Sequence, residues 1–152
     1  MKALAIGLMM WLQANCNVPG ISPEHNFCNM NYNIPPPNIV LLSHRDLLNE
    51  FNNDAPSTNG GVKAFYRYSK KTIFLIKGRD YKNNVVANTL FFHELMHYIH
   101  HMNGIDNKGC LAHVEVSAYL GMEHIYNKLH GLHADASPQI NYYKRKSCNT
   151  MY

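Results

Sequence analysis

Residues 93–97 read His93-Glu94-Leu95-Met96-His97. On a helix, positions four apart lie about 40° apart around the axis and about 6 Å apart along it. Two imidazoles so placed can meet on one tetrahedral ion, and the expected ion is a single catalytic Zn2+. Glu94 stands on a neighbouring edge, where its carboxylate can reach a water in the open coordination position without being a ligand itself. The spacing therefore predicts His93 and His97 as metal ligands and Glu94 as general base. Of the chain's ten histidines, seven fall between His93 and His130, which puts the compositional oddity in the same region.

These residues need a helix, and the pattern from Val85 to Asn103 predicts one, stopped by Gly104 at the position a C-terminal cap prefers. In helical projection Glu94, His97, His100 and His101 fall on one side, and Phe91, Leu95, Tyr98, Ile99 and Met102 on the other. One buried face and one histidine-glutamate face are expected. The flanking residues Leu90, Phe91, Phe92, Leu95, Met96, Tyr98 and Ile99 are all uncharged, whereas an accidental surface match would carry charges.

A catalytic zinc site needs a third protein ligand, and the downstream candidates are Asp106, Cys110, His113, Glu115 and Glu123. A second helix is predicted from about Leu111 to His130, stopped by Gly131. Its apolar stripe is Val114, Ala118, Met122, Ile125 and Leu129; Ser117, Glu123, His124 and Lys128 point away from it. Glu115 sits on the edge of the stripe, with Tyr119 and Tyr126 beside it. A carboxylate facing a core is costly unless neutralised. Zinc would neutralise it, and a short return brings Glu115 toward the first helix, so Glu115 is the expected third ligand. The competing reading pairs Glu115 with a lysine or arginine.

The remaining elements frame this pair. Ile39–Leu42 reads as a buried strand, and Ser43 caps a short helix from Arg45 to Phe51. Val62–Tyr68 and Thr72–Ile76 are β-branched and aromatic runs that predict a hairpin, closed by Gly78. The fold class is α+β: a short antiparallel sheet, an active-site helix and a following Glu-bearing helix, spanning residues 39–131. Residues 15–38 are an extended Pro- and Asn-rich lead-in that ends in Pro35-Pro36-Pro37, and 132–152 form a polar tail. At 152 residues, 46% hydrophobic and 16% charged, the chain fits one domain with a real core.

Its net charge of +4 lacks the Lys/Arg stripe of a nucleic-acid binder, and Lys144-Arg145-Lys146 reads as a solvated run. Residues 1–14 place Lys2 before an apolar run of about ten residues, the grammar of a secretory signal peptide and too short for a stable membrane span. Export to a periplasmic or extracellular compartment is expected, with the cytoplasm as the alternative. Cys16, Cys28, Cys110 and Cys148 make an even set that supports disulfides in that setting and free thiols in the other. Nothing in the chain specifies an oligomeric state.

The arrangement resembles the gluzincins, zinc metallopeptidases in which a Glu on the next helix completes a His-Glu-x-x-His site; in length it is similar to the minimal gluzincins of bacteria and phages. The similarity covers roughly Ile39 to His130. Its specific part is His93-Glu94-x-x-His97 and Glu115-Val116-Ser117-Ala118-Tyr119, with Cys110 standing where members often carry a Cys. The metzincin pattern fails, because it expects Gly at 100 and His at 103, where this chain has His100 and Asn103. The resemblance implies a zincin-like domain with His93, His97 and Glu115 as ligands, Glu94 as base, and a hairpin strand bordering a cleft for a peptide or protein substrate.

Peptide hydrolysis also needs a donor for the oxyanion, and Tyr119 and His100 both remain candidates; Tyr119 could equally be a core aromatic. His101 and His113 are expected to face solvent or to stand behind the ligands. A second class of function is an inactive zinc-holding domain with a structural or partner-binding role. There a fourth ligand, from His100, Cys110 or His113, would close the open position.

Overall fold

In the computed structural model, which describes residues 1–52, 61–105, 111–133 and 135–145, the chain is mixed α+β. Asp106, Cys110, Lys146 and Cys148 lie outside the described residues. Three short runs of branched and aromatic residues form the strands β1 (Asn38–Leu42), β2 (Ala64–Arg67) and β3 (Thr72–Ile76). β2 and β3 make the expected antiparallel hairpin, turned by Tyr68–Lys70 and by Lys71 in the left-handed region at φ 47°.

The sheet departs from the expected antiparallel form. β1 pairs in parallel with β3, Asn38 opposite Thr72 and Leu42 opposite Ile76, in the order β1-β3-β2. A parallel pair needs a crossover rather than a tight turn. Here helix α2 (His44–Asn52) lies within the connection between β1 and the hairpin. The Ser43 hydroxyl accepts from the Asp46 amide at 3.2 Å and donates to the Asp46 carboxylate at 2.6 Å, a cap of the predicted kind. β2 is left at an edge of the sheet.

Helix α3 (Val85–Met102) begins at Asn84, whose side chain accepts from the Ala87 amide, and ends before Gly104 at φ 72°. It is buried nearly all round: Phe91, Phe92, Leu95, Met96, Ile99 and His100 are fully enclosed. The two-faced helix of the projection is thus corrected to a central one. Its histidine side is covered by β2, by helix α4 (Leu111–His130) and by the chain around Phe27.

Two features bring α4 against α3. At Gly121 an added Cβ would lie 2.1 Å from the Met96 sulfur and 3.5 Å from Phe27 Cε2, so a larger residue would have to displace the buried Met96 side chain. On the far side, residues Lys2–Ala14 form helix α1, which buries Ala5, Leu8, Met9 and Leu12. Trp11 packs edge-on to Phe92 and near His124. His124, expected to point away from the core, is buried instead, its Nε2 donating to the Asn15 carbonyl at 3.0 Å. Ser117 is buried as well, donating to the His113 carbonyl at 3.0 Å.

A disulfide joins Cys16 to Cys28, a bond that persists in oxidising compartments. The 3-10 turn Pro23–His25 lies between them, and a second, Phe27–Asn29, contains Cys28. Further on, Asn103 and Asn31 pair reciprocally, the Asn31 amide donating to Asn103 Oδ1 at 2.7 Å and Asn103 Nδ2 to the Asn31 carbonyl at 3.2 Å. The tail holds one more helix, α5 (Ser137–Lys144), which buries Ile140 and stacks Tyr143 on Tyr119. Among the described residues no helix is long and apolar enough to cross a membrane.

Candidate metal centre

The i,i+4 spacing on α3 sets the His93 and His97 rings at 4.8 Å between centroids, their Nε2 atoms 3.1 Å apart. Glu115, in the first turns of α4, faces both: Oε2 is 3.4 Å from His93 Nε2 and Oε1 is 3.4 Å from His97 Nε2. Ligand bonds of about 2.0–2.2 Å at tetrahedral angles put neighbouring donor atoms about 3.3 Å apart. The observed separations match that spacing, with the two carboxylate oxygens shared between the rings. His93, His97 and Glu115 form a group able to hold a metal ion. Among the described residues no fourth His, Cys, Asp or Glu joins them.

Charge argues the same way. Burial alone would raise the Glu115 carboxyl, yet His97 and His93, by charge and hydrogen bonding, hold it well below the usual range. Among the described residues no lysine or arginine acts on it; the groups that hold it down are His97 and His93. The buried donors are therefore a carboxylate and two imidazoles turned inward. Such a set is expensive without a cation at its centre.

Glu94 sits beside the group rather than in it. Burial pushes its carboxyl up; His93 and His97 oppose that shift, Glu115 adds to it, and a hydrogen bond from the Tyr66 main chain on β2 opposes it again. A carboxylate in this position can take a proton near the ion and is held by the edge strand. His97 Nδ1 lies 3.4 Å from the Tyr68 hydroxyl, a partner that leaves Nε2 to face inward. His93 Nδ1 is buried with no hydrogen-bond partner among the described residues.

The two candidate oxyanion donors part company. Tyr119 stays at the site, its ring 4.6 Å from that of His93 and edge-on to it. Burial, with Glu115 and Glu94, pushes its hydroxyl up to about 12, so it stays protonated at neutral pH. His100 goes to the core: it is fully buried, stacks on Phe27 at 4.8 Å and donates from Nε2 to the His25 carbonyl at 3.3 Å. Although His100 lies within about 60° of His97 around the axis, the chain around residues 25–27 claims that level of the helix. His101 is half-buried under the Tyr66 hydroxyl, 2.6 Å from Nδ1, and His113 is exposed.

Sequence reasoning did not find Tyr143. It comes from α5, stacks on Tyr119 at 5.8 Å, and has its hydroxyl pushed up by burial, with Glu115, Tyr119, Tyr142 and Glu94 adding to the shift. Ala136, Ile140 and Tyr143 recur at helical spacing behind Pro138 in the first turn, which is the signal that marks this helix. Tyr66 and Tyr68 on the hairpin were likewise read only as strand residues. Set against family models, characterised proteins and solved structures, the chain matches none.

Proposed function

We propose that this protein is a zinc-dependent metallopeptidase with a zincin-like domain, resembling the gluzincins, that hydrolyses peptide bonds. The observation that carries the reading is the meeting of His93, His97 and Glu115 at ligand spacing with Glu94 adjacent and, among the described residues, no lysine or arginine acting on Glu115. When bound there, zinc supplies Lewis-acid activation of water and of a substrate carbonyl. Glu94 takes a proton from the attacking water and later passes it to the leaving amine. Its place against the Tyr66 main chain fixes the carboxylate for that transfer. The Tyr119 hydroxyl, protonated at neutral pH, donates to the developing oxyanion.

The outer edge of β2 offers main-chain groups to an extended substrate, which would lie alongside Glu94. The Cys16–Cys28 bond supports a place of work outside the reducing cytosol, in line with export. The experiment is incubation of the zinc-loaded protein with a mixed peptide library beside Glu94→Gln. Cleavage by the parent alone, with zinc retained by both, is the expected result. Zinc retained by both proteins with no cleavage by either would leave the zinc-holding, partner-binding alternative in its place.

A further inference from the structure

Helix α1 contains a residue that its own packing does not require. Gly7 lies mid-helix, where glycine weakens a helix relative to alanine. Its backbone has no positive φ, and an added Cβ would meet nothing within 4 Å. The space beside it belongs to a groove of about 670 Å3, away from the metal centre, between α1, the turn at 79–82 and the end of α4. Leu4, Gly7, Leu8 and Trp11 line one wall, and Tyr81 and Leu129 the other. That volume lies within the usual range of small-molecule sites.

Charge gives the groove a polarity. Arg79, Asp80 and Lys82 also line it. The Asp80 carboxylate is engaged by its own turn, accepting from the Lys82 amide at 3.1 Å, the Asn83 amide at 3.0 Å and Asn83 Nδ2 at 2.9 Å. Lys82 also acts on Asp80 by charge, so Arg79 and Lys82 against Asp80 leave the lining one net positive charge. The rest of the lining is aliphatic and aromatic, and neighbouring Ile6 and Met10 are exposed at 45% and 65%.

We propose that this groove binds a single-chain amphiphile with an anionic head, a long-chain carboxylate of the fatty-acid type. Its tail runs along Leu4, Gly7, Leu8 and Trp11, and its head meets Arg79 and Lys82. Gly7 keeps the channel open where any larger side chain would enter it. The assignment does not use the metal centre, but it requires that helix α1 stays on the working chain, as it would not if residues 1–14 were removed on export.

Trp11 is the chain's single tryptophan and lines the groove, so its fluorescence reports occupancy directly. The full chain is titrated with dodecanoate below its micellar concentration, with dodecyltrimethylammonium and phosphatidylglycerol vesicles as parallel arms. Saturable one-to-one binding of dodecanoate is expected, and none of the cationic amphiphile. Gly7→Leu should fold with an unchanged or higher melting temperature yet weaken dodecanoate by at least about tenfold, and the exposed pair Arg79→Glu, Lys82→Glu should do likewise. Gly7→Ala, a smaller intrusion, should give an intermediate loss. The proposal is overturned by equal binding of both amphiphiles, by no saturable binding, or by undiminished binding to Gly7→Leu. Binding to vesicles without binding to free dodecanoate would replace it with a membrane surface. Recovery of an exported chain lacking residues 1–14 would remove the groove and the proposal together.

Discussion

Gly121→Ala tests the packing that brings the three ligands together. The new methyl would sit 2.1 Å from Met96 Sδ, 3.0 Å from its Cε and 3.5 Å from Phe27 Cε2. Met96 and Phe27 are both fully buried, so the thioether has no solvent to swing into. Relief requires the buried Met96 side chain to take another rotamer or α3 and α4 to move apart, and such overpacking costs about 1–3 kcal/mol. In a chain of this size that lowers the melting temperature by roughly 2–12 °C. Metal sites tolerate only about 0.2 Å of ligand displacement, so affinity should fall by at least about tenfold.

The assay is thermal denaturation followed by titration with cobalt(II), whose absorption reports the ligand set. Gly7→Ala is the control: nothing crowds that position, so it should raise stability by about 0.4–1 kcal/mol. In a Met96→Ala background the Gly121→Ala penalty should shrink, since the clashing atoms are gone. Unchanged melting and unchanged cobalt affinity in Gly121→Ala would refute the claim that glycine sets the distance between the helices.

Further outcomes follow from other parts of the fold. Burial holds His100 at about 3 and lowers His25 below its usual 6.5, so the unfolded chain takes up protons that the native one refuses. Stability is then full above pH 6.5 and drains as the pH falls from 6.5 toward 3, and denaturant midpoints should fall over that window, less steeply in His100→Met. Reducing Cys16–Cys28, which closes a short loop, should remove about 2–3 kcal/mol, lowering the melting temperature by roughly 4–12 °C; an unchanged melt would deny the bond a structural role. Tyr143→Phe should keep α5 docked on Tyr119, whereas Tyr143→Ala should raise amide exchange throughout α5; equal exchange in both would show that Ile140 alone holds the helix.

The parts of the fold legible in the sequence were those fixed by local chemistry. Gly104 and Gly131 mark where α3 and α4 end because cap geometry is local. The His93/His97 pair and Glu115 were legible because helical spacing sets which residues share an edge, and a core-facing carboxylate demands a partner. What covers each helix was not legible, since periodicity describes a face but not its neighbour. His100 is on the same side as His97, about 60° away, yet it lies about 4.5 Å further along the axis, where Phe27 and His25 close over it. His124 lies off the apolar stripe of α4 in projection, and what the projection does not show is α1 packed against that side. The parallel β1–β3 pair was hidden because strand patterns carry no partner.

The most direct measurement is metal stoichiometry by mass spectrometry under native conditions, on the parent and on His97→Ala and Glu115→Ala. One zinc per chain in the parent, with binding lost or greatly weakened in both variants while the fold persists, is the predicted outcome. A folded parent that takes up no zinc, or a Glu115→Ala variant that holds it as tightly as the parent, would contradict a site shared between α3 and α4.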